Sequence, residues 1–439
     1  RSSESAGNGW IGCGCSEHQL IRGSLKVPLQ INKSHSQATM QKEDSFSAEL
    51  TLATLFLGLS PVYWLPGIPS SALLLGKLFF LALLLAYPFL YFRDGIYAVP
   101  RFMPALLFFS ALIATPSALA HLNLDFAGLF AVSFFVTLGY TLACRHGLKG
   151  ALNSLFFSSV FFSLIAILVV VDFVLSGYFF NPIHEVRLFL YQTGFHGGRT
   201  GWTAICNVFL AITFVGIVVS ESNLKKTIFS LAVIVLILNL VVVDSRGGLI
   251  TGIIVLAAYL GYLARTSKAR AATLLIALLL LSLFIMVNFG ERFLMSRTYL
   301  SIVAPEELRS GVTTGRTEGF IVALNMYLDS PVLGAGAVNL KDFGQDVEKV
   351  HNVWLRILAE QGLLGFLGFF IFSVGLSFYV LRSKNIPRAI CAMFLASGFV
   401  PTLFEPTGVF GNYFATAPFW MMAGVLLASK NNFSFAQNK

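Results

Sequence analysis

The sequence is short of charge. Only 12% of its 439 residues are Asp, Glu, Lys or Arg, against roughly 25% in a soluble domain. So few charges cannot cover a water-exposed surface. With 56% hydrophobic residues and a mean hydropathy of +0.77, most of the outside has to face lipid. A concentrated basic face is also lacking. The 30 Lys and Arg, which give a net charge of +9, occur in ones, twos and threes between apolar runs, and this excludes the basic surface of a nucleic-acid binder. Cysteine is scarce: Cys144, Cys206 and Cys391 sit in or at the ends of apolar runs, and Cys13-x-Cys15 is too sparse for a metal site. No disulfide framework is expected.

Residues 1–39 lack any long apolar run and differ in character from the rest. They are expected to be a non-native or translated upstream extension, or a disordered cytoplasmic tail, and are set apart from residues 40–439. The first apolar segment continues into further spans, so it reads as an anchor rather than a cleavable signal.

A bilayer core of about 30 Å needs roughly 20 apolar helical residues, because lipid offers the backbone no hydrogen-bond partners. The segments that meet this test are 46–65, 68–92, 102–120, 124–143, 151–175, 201–220, 225–243, 246–264, 271–289, 353–381, 389–404 and 411–429. The expectation is an all-α polytopic membrane protein of about twelve spans. Pro104, Pro116 and Pro401 interrupt the third and eleventh segments.

Positive charge sets the orientation. One set of loops carries Arg93 and Arg101, Arg145 and Lys149, Lys225 and Lys226, Arg265, Lys268 and Arg270, and Arg382, Lys384 and Arg388, with Lys42, Lys430 and Lys439 on the same side. The short opposite loops near 60–68, 119–125 and 404–411 carry no Lys or Arg. Both ends are therefore expected inside. Two longer segments, about 176–200 and 290–352, fall outside. Within the second, Phe320, Ile321, Leu324 and Tyr327 recur at helical spacing, which predicts an amphipathic helix on the membrane surface or over the bundle. Ser330-Pro331 and Gly334-Ala335-Gly336 read as turns.

The outer face holds four polar sites: Gly197-Gly198-Arg199-Thr200-Gly201, Asp244-Ser245-Arg246-Gly247-Gly248, Gly315-Arg316-Thr317-Glu318, and His351-Asn352 with Gly362 and Gly365 behind it. An Arg beside glycines at a helix start joins a fixed positive charge to unpaired N–H groups, as anion-binding helix starts do. Arginine also suits bidentate phosphate geometry. Each alone can simply meet lipid headgroups or snorkel. Three such sites on a face whose short loops near 60–68, 119–125 and 404–411 carry no Lys or Arg point to an anion site. His351 can act as a general base or be structural. His184 and His196 share the outer side, but their spacing fits no metal-ligand pattern, and no metal or cofactor is expected. Lys77, inside the second span, is either functional or snorkelling, with Asp172 a conceivable partner.

His351-Asn352, nine residues, then Gly362-Leu363-Leu364-Gly365 resembles the signature of the bacterial O-antigen ligases and the related O-antigen polymerases. Ser245-Arg246-Gly247-Gly248 is similar to another element of that superfamily. Gly315-Arg316, Pro331-x-x-Gly334-x-Gly336 and His351-Asn352 follow in the family's order. The resemblance implies a GT-C-like, metal-independent, inverting glycosyltransferase of the bacterial inner membrane with its active site facing the periplasm. The donor would be a glycan on undecaprenyl diphosphate. The acceptor would be lipid A–core for a ligase, or another lipid-linked repeat for a polymerase. It further implies His351 as the catalytic base and Arg199, Arg246 and Arg316 as diphosphate ligands, with Ser245, Gly247, Gly248 and Asn352 in support. The residues alone also allow a transporter, although those usually place polar groups near midplane on repeated broken helices, and no two-fold repeat is visible.

Overall fold

The computed structural model describes residues 48–60, 100, 102–121, 127–175, 198–294, 316–337, 350–383, 385–404, 408–411 and 416–429. The extension 1–39, the expected span 68–92, Lys77, His184 and His196 lie outside the described residues. The helices are α1 (Ala48–Leu59), α2 (Met103–His121), α3 (Ala127–Leu175), α4 (Gly198–Val219), α5 (Asn223–Val243), α6 (Arg246–Thr266), α7 (Lys268–Leu294), α8 (Arg316–Asp329), α9 (Val353–Leu381), α10 (Arg388–Phe399), α11 (Gly408–Gly411) and α12 (Ala417–Ala428), with a 3-10 turn at Val400–Leu403. No strand occurs among the described residues.

Among the described residues, six segments are long and apolar enough to cross a bilayer: Met103–His121, Gly128–Val171, Thr200–Val219, Asn223–Val243, Arg246–Thr266 and Val353–Leu381. The chain is an all-α membrane protein. Each expected segment from 102 onward falls on a helix. Pro116 does not break α2, and Pro104 sits in its first turn, where a missing N–H loses no bond. Pro401 instead opens the tighter 3-10 turn that ends α10.

One expected boundary is absent. The connector expected between 143 and 151 is helical except at Gly147 (φ 71, ψ 159), so two helices meet at one residue. Gly147 takes a positive φ that glycine adopts at little cost, and the residues on either side stay helical. Straight, 49 residues would reach about 73 Å, far beyond a bilayer core of about 30 Å.

Packing follows from small residues and buried amides. α12 lies along α3 in backbone contact. A Cβ on Gly139 would overlap the Met421 backbone, and one on Gly424 would overlap Val136 and Tyr140, the close approach that small residues allow between membrane helices. Asn239 on α5 donates to Ala166 O of α3 at 3.0 Å and accepts from Trp202 Nε1 of α4 at 3.2 Å. α2 packs along α9, and α8 lies against the start of α9.

Candidate functional site

Two residues separate α5 from α6. Asp244 takes the left-handed conformation (φ 48, ψ 53), which Asp tolerates better than most residues. Ser245 is buried and caps α6, its Oγ accepting from Gly248 N at 3.4 Å. Gly247 and Gly248 are both buried. A Cβ on Gly248 would overlap the Thr203 side chain, and one on Gly247 would come 3.0 Å from Phe404 Cβ. Asn207 Nδ2 donates to Gly248 O at 2.9 Å. The start of α6 is therefore fixed against α4 at Thr203, one turn beyond Arg199, and against Phe404 at the end of the 3-10 turn.

The same turn reaches α9. Asn352 caps that helix, its Oδ1 accepting from Leu355 N at 2.9 Å, while its Nδ2 donates to Leu403 O at 3.3 Å. Trp354 Nε1 donates to Thr402 Oγ1 at 2.8 Å. Residues 402–404 thus tie the start of α6 to the start of α9, and Thr203 ties α6 to the first turns of α4. Two helix starts with positive dipole ends, those of α6 and α9, meet around one turn, and the early turns of α4 lie against the first of them. The starts of α4, α6 and α9 carry Arg199, Arg246 and His351-Asn352 in turn. Arg246 and His351 are both half-buried. His351 lies between two pinned residues: Asn352, and Val350, which is buried in a cluster with Ala323, Met326 and Ala359 under α8.

Asn352 separates two effects. Asn352→Asp keeps a capping oxygen but replaces the donor facing Leu403 O with a second acceptor. Asn352→Ala loses both, and the lost cap alone should cost about 1 kcal/mol. Thermal unfolding is expected to order them wild type, Asp, Ala. Activity in both variants is expected to fall together, because each frees the turn from the helix start.

The glycines behind His351 have a different role. α9 is broken at Gly362 (φ 63, ψ −167). Such a break frees carbonyls before it and N–H groups after it, a heavy penalty at membrane depth unless neighbours bond them. The segment after α8 does so. Ala335 N donates to Ala359 O at 2.9 Å and Gly336 N to Glu360 O at 3.0 Å, while Leu363 N donates to Pro331 O at 2.8 Å and Leu364 N to Val332 O at 3.3 Å. Gly334 (φ 81) lies against the break so closely that a Cβ there would be 2.5 Å from Gln361 N. The Gln361 side chain lies over Gly365, where a Cβ would be 2.8 Å from its Oε1. The expected turns and the Gly-x-x-Gly element are thus two halves of one clasp. α2 closes it: Ser117 Oγ donates to Leu333 O at 2.8 Å, and His121 Nε2 bonds Gly334 O at 2.7 Å, which requires the Nε2–H form.

Sequence reasoning missed the clasp partners Ser117 and His121, and also Arg356, Glu360 and Gln361. Arg356 and Glu360, four residues apart, are buried as an ion pair with Nε to Oε2 at 3.8 Å. The Gln361 amide is buried, and neither of its polar atoms has a hydrogen-bond partner among the described residues. The signal was present: a charge pair one and two turns into an apolar helix. Arg199 and Arg316 fall in the first turns of α4 and α8, and Asp172 near the end of α3, as backbone positions. Their side chains lie outside the described residues.

Residues 231–370 match the family model described as O-antigen ligase. The match takes in Asp244–Leu249, α8, the clasp and His351-Asn352, and it bears out the resemblance carried by those motifs. The family is one of glycosyl transfer, embracing ligases and polymerases, which makes the chain an enzyme at that coarse level. None of the curated proteins matches the chain.

Proposed function

We propose that this chain, whose residues 231–370 carry the O-antigen ligase match, moves a glycan from undecaprenyl diphosphate to lipid A–core. The reaction takes place at the periplasmic face of the bacterial inner membrane. The fold in this reading is GT-C-like, with about twelve spans over residues 40–439 and both termini cytoplasmic. Residues 1–39 are an extension outside it. The observation that carries the reading is the meeting of the starts of α6 and α9 around residues 402–404, with α4 held against the start of α6 at Thr203.

A lipid diphosphate is a leaving group that gathers negative charge as it departs, and fixed positive charge aimed at it lowers the barrier. Arg199 and Arg246, with the N–H groups of their helix starts, take that role, and Arg316 at the start of α8 joins them. Ser245, Gly247 and Gly248 hold the start of α6 in place, and Asn352 holds the start of α9. His351 takes the proton from the acceptor hydroxyl as its oxygen attacks the anomeric carbon. The new C–O bond forms as the bond to the diphosphate breaks, the diphosphate leaves with the electron pair, and the anomeric configuration inverts. No step uses a metal.

The test is reconstitution with purified lipid-linked glycan and lipid A–core, with and without chelator. The expected result is transfer that survives chelation. Transfer that stops with chelator and returns with a divalent ion contradicts the metal-free step. Polymer joined only to lipid-linked repeats makes the enzyme a polymerase. Lipid-linked glycan crossing vesicles with no transfer makes the protein a transporter.

A further inference from the structure

α8 has three faces. At 3.6 residues per turn, buried Gly319, Ala323 and Met326 form the face on α9, and exposed Glu318, Asn325 and Asp329 form a polar face on one flank. The third face lies roughly opposite the bundle. It consists of Ile321, Leu324 and Leu328, which are 53%, 47% and 63% exposed. A helix roofing the bundle in water would turn its polar residues outward, away from the core. Here the outward stripe is apolar and the polar residues are displaced by about 90°.

The stripe does not end with the helix. It runs into Val332, also exposed, whose carbonyl accepts from Leu364 N, while Pro331 O accepts from Leu363 N. Leu363 is exposed and opens the row Leu363, Phe370, Val374 and Phe378 on α9, spaced seven, four and four residues apart on one side of a membrane span. The apolar surface of α8 is therefore continuous with the lipid-facing surface of α9.

We propose that α8 is embedded edge-on in the outer leaflet, with bilayer acyl chains covering Ile321, Leu324, Leu328 and Val332, the bundle on its other side and water along the Glu318–Asp329 flank. The inference rests on the membrane fold and not on the glycan-transfer reading. α8 is then a fixed re-entrant prop, clasped to the break in α9, rather than a lid that lifts into water. It holds the segment that carries Val350 and His351 at the height of the lipid headgroups.

Spin labels test this on the full chain in phosphatidylethanolamine–phosphatidylglycerol vesicles, with the five native cysteines replaced and single labels at Leu324→Cys, Leu328→Cys, Val332→Cys, Glu318→Cys and Asn325→Cys. These sites are all on exposed positions, so folding is not at stake. Collision with oxygen is expected to exceed collision with a water-soluble nickel chelate at 324, 328 and 332, with the order reversed at 318 and 325. Nickel access at all five sites would overturn the proposal. So would dipolar broadening at 324 and 328, which would put a second copy of the chain on the stripe.

Discussion

His351→Ala is expected to lower reconstituted glycan transfer by at least about a hundredfold, the lower end of what a positioned general base contributes, with little change in thermal stability. Its two neighbours hold the segment without it: Val350 in the pocket under α8 and Asn352 through its cap and its bond to Leu403 O. The pH profile tells which role is lost in the variant. A base loses rate as pH falls below its pKa. An imidazolium that only binds the diphosphate loses rate as pH rises above it. The proposed reaction requires the first limb, and it requires that limb to disappear in the variant. Transfer unchanged in His351→Ala would refute both roles.

Gly334→Ala carries the second large effect, and its cause is backbone geometry rather than chemistry. At φ 81 the residue occupies a region that L side chains rarely adopt, and a Cβ there meets the backbone of Glu360, Gln361 and Gly362. Backbone atoms cannot swing aside, so the clasp has to open. Four hydrogen bonds then break: Ala335 N to Ala359 O, Gly336 N to Glu360 O, Leu363 N to Pro331 O and Leu364 N to Val332 O. At a net value of ~1 kcal/mol each, the local loss is about 4 kcal/mol, or roughly a thousandfold in the population of the open form. Cleavage between 330 and 337 by an externally added protease is expected to rise by about that factor. The other helices should remain protected, and transfer should be lost. Ser330→Ala removes only the Oγ bond to Gly334 O at 2.7 Å and should show a small fraction of the effect. Equal protease resistance in Gly334→Ala and wild type would mean that the clasp does not depend on this glycine.

The spans were legible because lipid imposes one strong constraint, about 20 apolar residues per crossing. The expected span 353–381 coincides with α9, and the stretch predicted helical between Thr317 and Tyr327 lies inside α8. The starts of α4 and α6 were legible from Gly-Arg pairs, since glycine and a cation beside an apolar run mark a helix mouth. Contacts between distant segments were not. Gly334 and Gly336 announce positive φ in the sequence, and both adopt it. Nothing local says that they meet a break at Gly362, or that His121, 213 residues away from Gly334, closes over them. Gly247 and Gly248 were read as part of an anion-binding helix start. The structure sets Phe404 and Thr203 against them, a packing constraint that needs the fold to be seen. Arg356 and Glu360 went unnoticed because two charges barely lower the hydropathy of a 29-residue apolar helix, although their spacing of four is that of an ion pair.

The shared mouth itself is tested most directly by binding of an undecaprenyl diphosphate analogue to the intact protein in detergent, measured for Arg199→Ala, Arg246→Ala and the double variant. Each guanidinium bonded to phosphate is worth roughly 1.5–3 kcal/mol, so each single variant is expected to bind about tenfold or more weakly. The double variant should fall short of the sum, because both groups hold one ligand. Unchanged affinity in both single variants would contradict a diphosphate site between the starts of α4 and α6.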